Sequence, residues 1–102
     1  MKKYSKEWFL AEAEKLPHLK MEIFHKHYNT SPYIEYVYFY IFRNNFRNYH
    51  NDSGPAIYNF LDKETNTILK EPKEKYIING ELIGENLKLY SKEELQNYLL
   101  LR

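Results

Sequence analysis

The chain contains no cysteine, which excludes a disulfide framework, a thiolate nucleophile and a thiol-based zinc site. Glycine is nearly as scarce, with three in 102 residues, and none stands in a Gly-rich phosphate loop. Aspartate occurs only at Asp52 and Asp62, too sparse a supply for a two-metal phosphodiesterase, and no paired-carboxylate motif or strained serine elbow is present. No apolar run reaches the length of a membrane span, and the opening MKKYSKEWFL is charged within its first seven residues, unlike a signal peptide. Charge of one sign is also missing. Fifteen Lys and Arg against fourteen Asp and Glu give a net charge of +1, which excludes the whole-molecule field of a basic DNA clamp. These absences, with a length that suits one domain (residues 1–102), describe an intracellular, cytoplasmic protein without cofactor, metal or catalytic motif.

What the chain has in quantity is aromatic side chains. Eleven tyrosines and six phenylalanines, within a 43% hydrophobic composition, provide too much apolar surface for disorder. Lys, Asn, Ile, Tyr and Phe together make up nearly half the chain, and all use AT-rich codons, so only the placement of the aromatics can argue for a surface. Five tyrosines fall between Tyr28 and Tyr40.

Periodicity predicts a helix over 5–16, capped by Ser5 with Phe9, Ala13 and Leu16 on one face and ended by Pro17. KMEIFHKHY (20–28) alternates as a strand. YIEYVYFYIF (33–42) is the strongest strand, with Val37, Phe39 and Ile41 on one face and Ile34, Tyr36, Tyr38, Tyr40 and Phe42 on the other. Because both faces are apolar, it requires cover on both sides. AIYNFL (56–61) is a short strand, and 62–75, charged and containing Pro72, reads as a loop. Asn79-Gly80 fits a type I′ turn between YII and ELI. Ser91 with Glu94 forms a capping box for a last helix over 91–101. The expected fold is α+β: a single antiparallel sheet of five or six strands with an N-terminal and a C-terminal helix.

The segment His50-Asn51-Asp52-Ser53-Gly54-Pro55-Ala56, followed by Tyr76-Ile77-Ile78-Asn79-Gly80, resembles a short β-hairpin repeat with the pattern His-x-x-x-Gly-Pro-Ala and aromatic-x-x-Asn-Gly. The repeat is loosely similar to MORN-type repeats and occurs in small proteins of bacteriophages, mobile elements and large viruses. One full and one degenerate copy cover about residues 38–84, with Asn45 standing where a turn glycine is expected and the second copy lacking the His and the Gly-Pro-Ala. The resemblance implies a hairpin-built sheet and a phage-like origin, hence residence in the cytoplasm of a host cell. It carries no catalytic role.

Three groups are candidates for function. His25 and His27, two apart on one strand face, could hold a metal with His50, or form a hydrolytic cluster with it; ordinary half-buried histidines are the plainer reading. His50, Asp52, Gly54 and Pro55 read as a structural turn, with Gly54 at positive φ, as do Asn79 and Gly80. The stretch 43–50 interleaves Arg43, Phe46, Arg47 and Tyr49 with amides, which suits a protein contact, single-stranded nucleic acid or a plain solvated loop. The Tyr36, Tyr38 and Tyr40 ladder is either core or a partner surface. The function expected is non-catalytic binding of a host protein or protein complex by an inhibitor, such as an anti-CRISPR, another anti-defence protein or an antitoxin-like partner. A homodimer would supply the missing cover equally well. The alternatives are an RNA- or single-strand-binding module and a metal-dependent hydrolase.

Overall fold

The computed structural model describes residues 1–30, 33–65 and 67–102, with the side chains of 26–38 outside the described residues. Ser5 accepts a hydrogen bond from the Trp8 N–H at 3.2 Å and so starts helix α1 (Lys6–Glu14). Strands β1 (Lys20–Thr30) and β2 (Tyr33–Arg43) form an antiparallel pair in unbroken register, from Lys20 opposite Arg43 to Thr30 opposite Tyr33. Strands β3 (Ile57–Asp62), β4 (Thr67–Ile78) and β5 (Glu81–Glu85) complete an antiparallel sheet of five strands in the order β1-β2-β3-β4-β5. Helix α2 (Lys92–Leu100) follows, capped by the Ser91 hydroxyl, which accepts from the Glu94 N–H at 3.1 Å. The expected α+β architecture is the one observed.

The core explains why the helices lie where they do. Period-2 alternation sends Met21, Ile23, Tyr40, Phe42, Tyr58 and Phe60 to one face of the sheet, and Phe9 of α1 sits at the centre of that face, fully buried. Its ring stacks on Tyr40 with centroids 3.7 Å apart and meets Trp8 and Tyr58 edge-on at 4.9 Å. The T-shaped contacts are the arrangement that ring quadrupoles favour, and the close Phe9–Tyr40 stack gains from apolar burial. Tyr76 lies on the same face. Its hydroxyl accepts from the Leu89 N–H at 2.8 Å and donates to the Leu89 carbonyl at 3.0 Å, so the segment leading into α2 is fastened to this side too.

Two expectations are corrected. The loop expected over 62–75 is largely strand β4, whose burial alternates as a strand should: Pro72, Glu74 and Tyr76 are buried while Lys73 and Lys75 are exposed. Pro72 is tolerated because the β3–β4 register breaks between Asn59/Lys73 and Leu61/Ile68, where no ladder donor is needed. Tyr40, placed on a candidate surface, is instead core under Phe9. The side chains of Tyr36 and Tyr38, the other members of that ladder, lie outside the described residues.

Candidate binding face and its supporting loop

With the helix-bearing face filled, the opposite face of β1 and β2 is what remains for an outside partner. Phe24 and Phe39 are direct cross-strand neighbours there, and Ile41 follows on the same side. Phe24 is 47% exposed, and Phe39 and Ile41 are half-buried. Together with His25 and Tyr49 they line a shallow groove of about 360 Å³. Lys73 and Lys75, opposite Asn59 and Ile57 in the register, share this face. The sequence marks strand 33–42 as needing two covers; among the described residues, α1 covers the side that carries Tyr40 and Phe42.

The 43–50 segment borders the groove and is held rigidly. Asn44 Oδ1 accepts from the N–H groups of Phe46 and Asn48, at 2.9 and 3.1 Å, and the Asn44 N–H donates to the Asn48 carbonyl. Arg47 occupies the left-handed region at φ 63°. That position, rather than Asn45, is where a glycine would relieve strain, which costs a non-glycine residue about 1–2 kcal/mol. The reversal returns through a single bridge, Arg43 to Tyr49, rather than a full strand.

Arg43 is occupied within the molecule. Its Nε lies 3.0 Å from Glu22 Oε1 as an ion pair poorly aligned for a hydrogen bond, its Nη1 donates to the Arg47 carbonyl at 2.9 Å, and its guanidinium sits 4.3 Å from the Tyr49 ring centroid. It therefore orients Tyr49 rather than reaching outward. Phe46 does reach outward, at 83% exposure, and Arg47 is exposed beside it.

The two turns singled out in the sequence dock on one another. Asn79 and Gly80 both have positive φ, 49° and 83°, as a type I′ turn requires. The Gly80 N–H donates to the Tyr49 carbonyl at 2.9 Å, Asn44 Nδ2 donates to Asn79 Oδ1 at 3.1 Å, and the Asn79 N–H donates to His50 Nδ1 at 3.0 Å. His50 is thus an acceptor in the neutral form with its proton on Nε2. Burial lowers its pKa below 6.5, the nearby Asp52 carboxylate opposes that shift and His18 adds to it. Because the folded state binds the proton less readily than the unfolded state, stability is retained above pH 6.5 and falls as the pH drops through that window. An NMR titration of the His50 ring should give a midpoint below 6.5, and His50→Asn should flatten the stability profile between pH 7 and 5.

Neighbouring residues brace the same loop. Asp52 receives His18 Nε2 at 2.9 Å and Lys92 Nζ at 3.7 Å, joining the end of α1 and the start of α2 to the turn. Burial alone would raise the Asp52 pKa, but the His18 hydrogen bond and the cationic neighbours bring it below the usual carboxylate range. Gly54 does not have the positive φ expected of it; Gly80 does. Gly54 is buried, and an added Cβ would meet Asn51 Nδ2 and the Leu89 carbonyl at an ordinary 3.8 Å. Sequence reasoning also overlooked Asn51 as the organiser. It is buried, its N–H donates to the Ile77 carbonyl at 3.1 Å, its Nδ2 donates to the Pro55 carbonyl at 2.9 Å and its Oδ1 accepts from the Ser53 N–H at 2.9 Å. Its signal was an Asn two residues before a Ser at the head of Gly-Pro.

The histidines do not assemble a metal centre among the described residues, where no three His, Asp or Glu side chains converge. His50 is committed through Nδ1 to Asn79, and the His27 side chain lies outside the described residues. No helix is long and apolar enough to cross a membrane among the described residues. Comparison with protein-family models, curated proteins and solved structures gave no match to this chain.

Proposed function

We propose that this protein is a non-catalytic binding module that docks a host protein over the open face of β1 and β2. The observation that carries this reading is the Phe24–Phe39 pair, continued by Ile41 and Tyr49 with no cover among the described residues, on a sheet whose helix α1 packs on the other face. Large aromatic side chains on a stiff scaffold give contact area at small entropic cost, and such residues dominate binding hot spots. Phe46, at the tip of the braced turn that leads to Tyr49, offers a further exposed aromatic side chain. The role of a phage- or mobile-element-type inhibitor, of the anti-CRISPR, anti-defence or antitoxin-like kind, follows from the resemblance of residues 38–84 to the β-hairpin repeat.

The test is affinity capture from the host with the wild-type chain, then Kd measurement on the identified partner with Phe24→Ser/Phe39→Ser. Loss of two aromatic anchors that the partner would bury should weaken binding about 100-fold or more, well beyond any change in the fraction folded at the assay temperature. An unchanged Kd would place the contact elsewhere. Sedimentation of the isolated chain should show a monomer; a dimer lost in the same double variant would make a second copy the occupant instead.

A second reading has its own supporting observation: Lys73 and Lys75 stand on the same face as the Phe24–Phe39 pair, which is how single-strand binders combine stacking with phosphate attraction. That reading requires binding of oligo-dT or poly-U at low salt with a steep loss as salt rises. No binding at low salt eliminates it.

A further inference from the structure

Away from the open face, a buried carboxyl group is left half satisfied. Glu74 points to the helix side of β4 and is only 5% exposed. Its Oε1 accepts from the Tyr90 hydroxyl at 2.9 Å, while Oε2 is buried with no hydrogen-bond partner among the described residues. Leaving a buried carboxylate oxygen unpaired is costly, which makes Glu74 the under-satisfied acid of this part of the fold. Glu74 opens into a cleft of about 480 Å³, lined also by Lys3, Tyr4, Glu71, Lys88 and Tyr90, within the size range of small-molecule sites.

The backbone around the cleft is independently unusual. Tyr4, Asn86 and Lys88 all adopt left-handed φ, at 68°, 51° and 57°. For Tyr and Lys this is a strained conformation, and strain of that kind gathers at ligand sites. Asn86 clamps the Glu74 backbone in both directions: its N–H donates to the Glu74 carbonyl at 2.8 Å and its Oδ1 accepts from the Glu74 N–H at 2.9 Å. Lys3 Nζ lies 4.9 Å from the Tyr4 ring centroid and 5.6 Å from that of Tyr90, which holds a cation at the cleft rim. Burial raises the Glu74 pKa; the Tyr90 hydrogen bond, Lys3 and Lys88 oppose that and Glu71 adds to it.

The geometry points to a site for a small zwitterion of the α-amino-acid class. Two carboxyl groups and two ammonium groups line one cleft: its acidic end, Glu71 with Glu74 behind it, takes the ligand's ammonium group, and Lys3 and Lys88 take its carboxylate. Tyr4 and Pro72 provide the apolar wall for a side chain. This site is separate from the open sheet face and does not depend on what docks there.

The experiment is an NMR titration of the whole labelled chain with glycine, L-leucine and L-phenylalanine, and with methylamine and acetate as half-ligand probes. Saturable shifts at the amides of Glu74, Asn86, Lys88 and Tyr90 are expected with a zwitterion, at least about tenfold tighter than with either half, because each half loses one charged hydrogen-bonding end. Glu74→Gln should abolish the shifts while Phe24→Ser/Phe39→Ser leaves them intact. If Glu74→Gln does not fold, Lys88→Met, which leaves the Tyr90–Glu74 bond in place, should weaken binding instead. No saturable shift with any zwitterion, equal affinity for acetate alone, or full binding by both variants would overturn the assignment.

Discussion

Phe9→Ala is expected to cost about 3–5 kcal/mol of folding free energy, the usual range for truncating a fully buried phenylalanine. The ring is fully buried, stacked on Tyr40 and contacted edge-on by Trp8 and Tyr58, so its loss empties the junction between α1 and the sheet. Trp8, Ala13 and Leu16 pack around this core but are only partly buried, and the Asp52–His18 pair beyond the C-terminal end of α1 is partly exposed and contributes little. Against a typical total of about 5–15 kcal/mol, the variant should be largely unfolded on mild heating or in low urea. Phe46→Ala, at an exposed turn tip, should change stability by less than about 0.5 kcal/mol. Urea denaturation of the pair checks the assignment of core against surface. Equal stabilities would refute it.

Asn51→Ala is expected to be nearly as damaging, for a polar reason. It strands the Pro55 carbonyl and the Ser53 N–H beside a buried segment, and each unsatisfied buried group costs about 1–3 kcal/mol. The turn that it holds also carries the Asp52 contacts to both helical ends and the His50 bond to Asn79. A loss of about 2–4 kcal/mol is therefore expected, with early hydrogen exchange of the Gly80 and Asn79 amides. Asn51→Asp separates the two bonds: it keeps an acceptor for Ser53 but turns the Pro55 contact repulsive. Thermal melts of the two variants should agree in direction, and wild-type stability in either would remove Asn51 from its organising role.

The elements that were readable from sequence are those whose signals are local. Ser5 and Ser91 cap where their spacing says, Asn79-Gly80 turns as its dipeptide chemistry demands, and 33–42 lies within a strand. Strand β4 was hidden because its buried positions include Glu74 and Pro72, so a true period of two looked like a charged loop. The candidate surface was half readable. The need of β2 for two covers is written in its apolar faces, but which face α1 takes depends on Phe9 meeting Tyr40 across more than thirty residues of chain. The tyrosine ladder drew attention by composition, while the less conspicuous Phe39 and Ile41 lie on the face left open. Arg43 looked like a partner-seeking cation because nothing local shows that Glu22, Arg47 and Tyr49 converge on it. The Glu74 cleft was beyond reach, being assembled from residues near 3, 71 and 90.

The central claim is that the Phe24–Phe39–Ile41 face is the surface by which this protein binds its partner. Cross-saturation NMR on the complex with the captured partner tests it most directly, because it reads contact side chain by side chain. The account predicts that saturation enters at Phe24, Phe39, Ile41, Phe46 and Tyr49 and spares Phe9, Trp8 and Leu95. Transfer confined to α2, to β5 or to the helix-covered side of the sheet would contradict it.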